Sequence, residues 1–372
     1  MNSCACESCN AETQILAVIM DLDGTLLDTE KTTKNIVKDF LAKYGKILDR
    51  EKEDNRLGQM HRESAASIVK DYDLPLTPDQ FSKEIMPMYK ERWPLAKALP
   101  GVNRLIMHLH KHGVPFALAS NSIRKHIDEK ISQQEGWKES FSVILGSNEV
   151  NSGKPAPDLF LEAAKRMGVD PLRCLVIEDS LPGVMAAKAA GMKVVAVPSL
   201  QTQADRYSIA TSVLHSLLEF QPDLWGLPPF DDWVENALPI EPMYVKGVSC
   251  DGFLSEVTDN DTLPDQLSGI YFGWAKLGIS GIFKAVVGIG WHGHSVASKR
   301  VIMPHLIDET EENKTDQPWQ LLLVGYIRKL SGEMNTSLDI EILEEDKCIA
   351  MAALDLPVFA HHRGSTLLSE VA

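Results

Sequence analysis

From Ile15 to Val197 the chain alternates short apolar runs with helical stretches, and this alternation narrows its possible folds more than any other feature. Ile15 to Met20 reads as a strand that ends directly on Asp21. Further on, a helix is expected near 102–112, a strand at Val114 to Ala119, a helix near 123–134 and a strand at Ser142 to Gly146. A helix near 157–167, a strand at Cys174 to Ile177, a helix near 182–190 and a strand at Lys193 to Val197 complete the series. Buried strands separated by helices give a Rossmann-like α/β fold with a parallel sheet, because the crossover helices cover its faces. The block at about 30–96 breaks the alternation. Its apolar positions, such as Ile36-Val37 and Phe40-Leu41, recur at helical spacing, so it reads as a helical cap inserted after the first strand.

The character changes after residue 226. The segment 227–243 is rich in proline and aromatics and suits a linker. Beyond it, Ile270 to Trp274, Phe283 to Val287 and Leu321 to Tyr326 read as strands. Residues 244–372 are therefore expected to form a small, mostly-β barrel closed by a helix within 335–353, with residues 15–226 as the α/β domain. Residues 1–14 read as a disordered tail. Cys4, Cys6 and Cys9 fall there, but three thiolates are one short of a structural zinc site and no His lies close by.

Acidic side chains outnumber basic ones by 52 to 37, a formal charge of -15. Such a surface argues against nonspecific binding to nucleic acid or anionic lipid. An anionic substrate would need a specific Lys or Arg. No apolar run approaches the roughly 20 residues that cross a bilayer, and the polar N-terminus lacks the basic-then-apolar order of a secretion signal. Six scattered cysteines without a disulfide framework point to a reducing cytoplasm.

Four polar clusters follow the expected strands. Asp21-Leu22-Asp23-Gly24-Thr25 places two carboxylates at i and i+2 in the crevice at the carboxyl end of the sheet, where open α/β folds bind ligands. One carboxylate can attack phosphorus while the other shuttles a proton. Ser120-Asn121 offers a hydroxyl and backbone N–H groups to a phosphate oxygen. Lys154 supplies the local cation that an acidic protein must place deliberately. Glu178-Asp179, beside Asp21, would complete an oxygen-only site suited to Mg²⁺. Taken singly, each has a plainer reading: a turn, a helix cap, a surface lysine, a helix start. All four after strands, in one domain and with complementary roles, make the joint reading the stronger one.

These clusters, DLDGT (21–25), ALASNS (117–122), GKPAPD (153–158) and VIEDS (176–180), resemble the haloacid dehalogenase superfamily. The resemblance implies a phosphoric monoester hydrolase with Asp21 as nucleophile and Asp23 as general acid, then base. Ser120, Asn121 and Lys154 would bind phosphate. Mg²⁺ would be held by Asp21, Asp179 and the backbone carbonyl of Asp23, with Glu178 assisting. The cap would choose the substrate, with Arg56, Gln59, His61 and Arg62 in the specificity segment; a solvated helix start explains any one of these equally well.

The segments SGIYFGWA (268–275), GIFKAVVGIGW (281–291) and LLLVGYIR (321–328) resemble riboflavin kinases. Behind this type of phosphatase they match the plant-type fusion of riboflavin kinase with FMN hydrolase. That resemblance implies FMN as the phosphate ester and small molecules, not nucleic acid or membrane, as partners. The kinase parts are eroded. Val248 to Leu254 replaces the expected glycine-rich segment, no Pro-Thr-Ala-Asn follows, and Met303 before Pro304 stands where the family has a glutamate base. The second domain is accordingly expected to lack kinase activity, leaving flavin binding or assembly as its role. A sugar-phosphate phosphatase or phosphomutase, a still-active bifunctional enzyme and a non-catalytic flavin-binding protein remain alternatives.

Overall fold

The computed structural model describes residues 14–54, 56, 61–199, 206–250, 252–256, 263–278, 281–292, 299–307, 318–330 and 340–368. The tail with Cys4, Cys6 and Cys9 lies outside them, as does Gln59.

The strands β1 (Ala17–Met20), β2 (Phe116–Ser120), β3 (Val143–Gly146), β4 (Cys174–Glu178), β5 (Lys193–Ala196) and β6 (Ser212–Val213) form one parallel sheet in the order β3-β2-β1-β4-β5-β6. The order reverses at β1, which lies between β2 and β4. At such a switch point the loops leaving neighbouring strands diverge and open a crevice. One face of the sheet is covered by a cluster around Val18, Leu118 and Ile177, the other by one around Ile19, Ala117 and Val176. Alternate residues of each strand thus enter opposite cores, which is why the strands read as unbroken apolar runs.

Between β1 and β2 lie α1 (Thr29–Thr33), α2 (Ile36–Ala42), α3 (Arg50–Asp54), α4 (His61–Asp71) and α5 (Pro78–Arg92). These helices have a core of their own, built on Phe40, Leu41, Ile68, Phe81 and Ile85. A capping box between Thr77 and Gln80 starts α5, a device that contributes about 1 kcal/mol. The two chain passages into the cap run side by side. Asp28 N–H donates to Lys97 O at 3.0 Å and Leu99 N–H to Leu26 O at 2.9 Å, giving a two-stranded hinge. The sheet's other helices are α6 (Val102–Lys111), α7 (Arg124–Lys130), α8 (Trp137–Ser140), α9 (Asp158–Met167) and α10 (Leu181–Ala189).

The strands β7 (Leu238–Cys250), β8 (Phe253–Glu256), β9 (Gly269–Leu277), β10 (Ile282–His292), β11 (Lys299–Leu306) and β12 (Pro318–Arg328) close into a barrel, followed by α11 (Glu344–Ala353). The strand β7 begins at Leu238, inside the segment read as a linker. Its prolines read as breakers, yet the pairing with β12 shifts register between Leu323 and Gly325, so residues 240–242 bulge out and Pro242 interrupts no ladder bond.

The stretch joining the two units is strapped across α6. Arg104 holds Asp232 through two hydrogen bonds, at 2.6 and 2.7 Å, and stacks on Phe230 at 3.5 Å. His108 Nε2 donates to Pro228 O at 2.8 Å. Among the described residues no helix is long and apolar enough to cross a membrane.

Candidate active site

Asp21, Ser120 and Glu178-Asp179 stand at the carboxyl ends of three adjacent strands, β1, β2 and β4. Because these strands are neighbours in the sheet and not in the chain, residues some hundred positions apart meet in one crevice. The loop after β3 adds Lys154. Its Nζ donates to Asp21 Oδ1 at 2.5 Å and to Glu178 Oε1 at 2.6 Å, and the side chain is almost wholly buried against Phe160.

Asp21, Glu178 and Asp179 can bring one oxygen each within 4.8 Å of the others. Three buried carboxylates face one ammonium, so the cluster carries surplus negative charge. Burial pushes the Asp21 carboxyl up to about 7 despite Lys154, and the Glu178 charge adds to the rise. Burial, then Glu178 and Asp21, likewise raise Asp179 well above the usual carboxylate range. An all-oxygen, electron-rich set of this kind fits a hard divalent cation such as Mg²⁺.

Each carboxylate is oriented by a ring of small donors. Glu178 Oε2 accepts from Ser180 N–H at 2.8 Å and Ser180 Oγ at 2.9 Å. A Cβ at position 183 would come within 1.7 Å of Glu178 Oε1, so α10 approaches this carboxylate through glycine. Asp179 accepts from Thr25 Oγ1 at 3.1 Å and from the Ser199 hydroxyl, while Tyr207 Oη donates to its backbone carbonyl at 2.6 Å. Gly24 has φ +80, and a Cβ there would meet Asp179 Oδ2 at 2.2 Å; the turn therefore needs glycine on both counts.

Asp23 points away from the acidic trio. Its two oxygens accept from Lys130 Nζ, both at 2.7 Å, and Oδ2 accepts from Ser122 Oγ at 3.0 Å and Ser120 Oγ at 3.4 Å. Burial alone would raise its pKa, but the Lys130 charge and hydrogen bonds from Lys130, Thr29 and Ser122 together hold the carboxyl below its usual range. Lys130 is itself buried, donates to Ser122 Oγ at 2.8 Å and lies 4.9 Å from the ring of Trp93 in the returning hinge. Asp23 is thus tied to the cap through Lys130.

Ser120 opens toward Asp23, and the Asn121 side chain turns to the loop that carries Lys154. Its Oδ1 accepts from Lys154 N–H at 2.8 Å and its Nδ2 donates to Lys154 O at 3.2 Å, so the amide clasps the loop that carries the lysine. Arg56 is buried within the cap, its guanidinium bound to Glu53 and, at 3.1 Å, to Asp71. It ties cap elements together. Gln59 and the side chains of His61 and Arg62 lie outside the described residues.

Sequence reasoning missed Lys130, Ser122, Ser199 and Tyr207. Lys130 carried a usable signal: it lies three residues after the fully buried Ile127, on the inward face of α7.

In the barrel, Cys250 pairs with Phe253, so β7 and β8 are joined across two residues, Asp251 and Gly252, the latter with φ +82. Met303 pairs with Gly288 across β11 and β10.

Comparison with known families gives a match to haloacid dehalogenase-like hydrolases over residues 18–197 and to riboflavin kinase over residues 254–345. The chain is 46% identical over 366 residues to a bifunctional riboflavin kinase/FMN phosphatase of Arabidopsis thaliana, covering 95% of this chain and 97% of that protein. It is 39% identical to a probable pseudouridine-5'-phosphatase of Drosophila melanogaster, over 58% of this chain and 95% of that one. Among solved structures, CbbY from Rhodobacter sphaeroides in complex with phosphate superposes with a TM-score of 0.50 at 26% identity, covering 55% of this chain and 96% of that one.

Proposed function

The chain belongs to the family that joins a haloacid dehalogenase-like hydrolase to a riboflavin kinase domain, and on that premise we propose that it hydrolyses FMN to riboflavin and phosphate through a phosphorylated Asp21. The observation that carries this reading is the bridge from Lys154 to Asp21 and Glu178, with Asp179 alongside and Asp23 on the same loop as Asp21.

In the first half-reaction an Asp21 oxygen attacks phosphorus, the bond from phosphorus to the ester oxygen breaks, and Asp23 gives a proton to the departing alkoxide. Lys154 neutralises charge on both the nucleophile and the phosphoryl oxygens. Ser120 Oγ would donate to one of those oxygens. In the second half-reaction Asp23 takes a proton from water as the water oxygen attacks the acyl phosphate, which restores Asp21 and releases phosphate. Without a carboxylate at 23 that intermediate would hydrolyse slowly. Asp21, Asp179 and the Asp23 carbonyl, with Glu178 behind them, would hold Mg²⁺, which supplies Lewis-acid stabilisation of the phosphoryl charge.

FMN is preferred among phosphate esters because a relative covering 95% of this chain is named for it. The cytoplasm is the compartment we infer, in line with the scattered cysteines.

We further propose that the barrel does not phosphorylate riboflavin. The two-residue link between β7 and β8 leaves no length for a phosphate-cradling loop at that point, and Met303 has no basic atom to accept the hydroxyl proton. Incubation with riboflavin and Mg-ATP should give no FMN; FMN formation would overturn this part. The nucleophile is tested by rapid quench with radiolabelled phosphate ester. A protein-bound, hydroxylamine-labile label is expected, absent in Asp21→Asn. A labelled wild-type protein resistant to hydroxylamine would exclude the acyl phosphate.

A further inference from the structure

One residue of the barrel unit reaches the phosphatase centre. Gln266 lies in the loop 263–268 that leads into β9 and is 242 positions from its partner. Its Nε2 donates to Gly24 O at 2.6 Å and, with its second hydrogen, to Val197 O at 3.4 Å. The side chain is only 3% exposed.

The two acceptors belong to the two loops that shape the site. Gly24 follows Asp23 directly. The Asp23–Gly24 peptide is already fixed on one side, because Gly24 N–H donates to Leu27 O at 2.9 Å. Gln266 fixes the next peptide through its carbonyl. The planes on either side of a residue without a side chain are then both held, and with them the direction of the Asp23 carbonyl, which shares the first plane. Val197 precedes Pro198-Ser199, and the Ser199 hydroxyl bonds Asp179. The same amide nitrogen therefore braces the turn below Asp23 and the loop behind Asp179.

The brace is anchored in the barrel. Arg300 of β11 donates through Nη1 to Leu263 O at 2.8 Å and through Nη2 to Asp265 Oδ1 at 2.6 Å, clamping the loop on which Gln266 sits. A loop that merely filled space at a domain contact would need neither a buried amide aimed at a catalytic turn nor a bidentate clamp behind it.

We propose that Gln266 is a positioning residue of the phosphatase centre, supplied by the riboflavin kinase-like barrel, so that the second domain sets the turnover of the first. The inference rests on the phosphatase reading above. It also gives the barrel a role that needs no kinase chemistry.

The test is steady-state phosphate release by the full-length chain, with thermal unfolding measured in parallel. Gln266→Met keeps the volume and removes the donor. It should lower kcat about three- to tenfold, the reach of one or two lost buried hydrogen bonds, with KM and the unfolding temperature little changed. Asp265→Ala, at an exposed position, removes one of the two Arg300 bonds to the loop while preserving the fold and should lower kcat in the same direction by a smaller factor. Unchanged kcat in the folded variants would overturn the proposal, as would a loss confined to KM or to unfolding temperature. If Gln266→Met does not fold, Asp265→Ala decides: wild-type kcat there sinks the proposal. Should the wild-type chain release phosphate from no ester, the phosphatase reading itself fails, an outcome distinct from equal turnover in wild type and variants.

Discussion

Lys130 Nζ contacts both carboxylate oxygens of Asp23 at 2.7 Å, while Trp93 of the cap hinge lies 4.9 Å from the same ammonium. In the proposed reaction, this pair defines the resting state of the group that handles the proton. Held ionised, Asp23 is ready to act as the base of the second half-reaction; to act as the acid of the first, it must leave Lys130 and carry a proton, taken from solvent or kept from the water of the preceding turnover. Because Lys130 touches both Asp23 and Trp93 at the end of α5, the cap and the proposed proton-transfer group share a contact.

Lys130→Met should therefore lower kcat by about tenfold or more, since general acid–base catalysis is worth roughly 10²–10⁴ and only its positioning is lost. The loss should be greatest for esters with poor alkoxide leaving groups and smaller for an activated aryl phosphate, which departs without a proton. Equal losses on both would show that Lys130 does not act through Asp23.

Asp21→Asn should abolish turnover and leave the fold intact. In the absence of Mg²⁺ its unfolding temperature should equal or exceed that of the wild type, because one carboxylate is removed from a cluster of three beside a single lysine. Appreciable residual activity would remove Asp21 from the nucleophile's role.

Lys154→Met strips that cluster of its cation. Breaking a buried ion pair from one side costs about 3–5 kcal/mol, and turnover should fall at least a hundredfold with the phosphate-neutralising charge gone. Mg²⁺ should recover part of the stability and little of the rate. Denaturant melts with and without the metal check the first, phosphate release the second. Wild-type stability in chelator would contradict the surplus-charge description.

Asp21 carries a folded-state pKa raised to about 7 from 3.8. An acid so raised binds more protons folded than unfolded. Its contribution to stability is complete below the unfolded value and is lost as pH climbs through the folded one. Mg²⁺ needs the ionised carboxylates, so its binding should become more favourable over the same window. The rise in unfolding temperature on adding Mg²⁺ should be larger at pH 8 than at pH 5.5. An equal rise at both pH values would contradict metal binding at these carboxylates.

The parts of this molecule legible in its sequence are those in which function follows local pattern. The parallel sheet, the helical cap and the barrel all announce themselves through apolar periodicity, and Asp21, Lys154 and Glu178-Asp179 each follow the end of a strand. What was not legible depends on contacts between distant segments. Lys130 belongs to no motif; its spacing from Ile127 hints that it turns inward, but its partner Asp23 is fixed only when α7 packs. Asn121 sits beside Ser120, yet its amide turns to the Lys154 backbone, a choice made by a loop more than thirty positions away. Arg56 reads as a substrate contact and is bound inside the cap by Asp71. Gln266 meets Gly24 only once the α/β unit and the barrel are both in place. Prolines hid the start of β7, since a bulge that spares the ladder cannot be seen from composition.

The central claim is that this chain is an Mg²⁺-dependent FMN phosphatase. It is tested most directly by phosphate release from FMN, set against a panel of sugar and nucleoside monophosphates, with Mg²⁺ and then with chelator. The account predicts the highest kcat/KM on FMN and reversible loss of activity in chelator. Turnover of another panel member with FMN untouched would contradict the substrate, and full activity in chelator would contradict the mechanism.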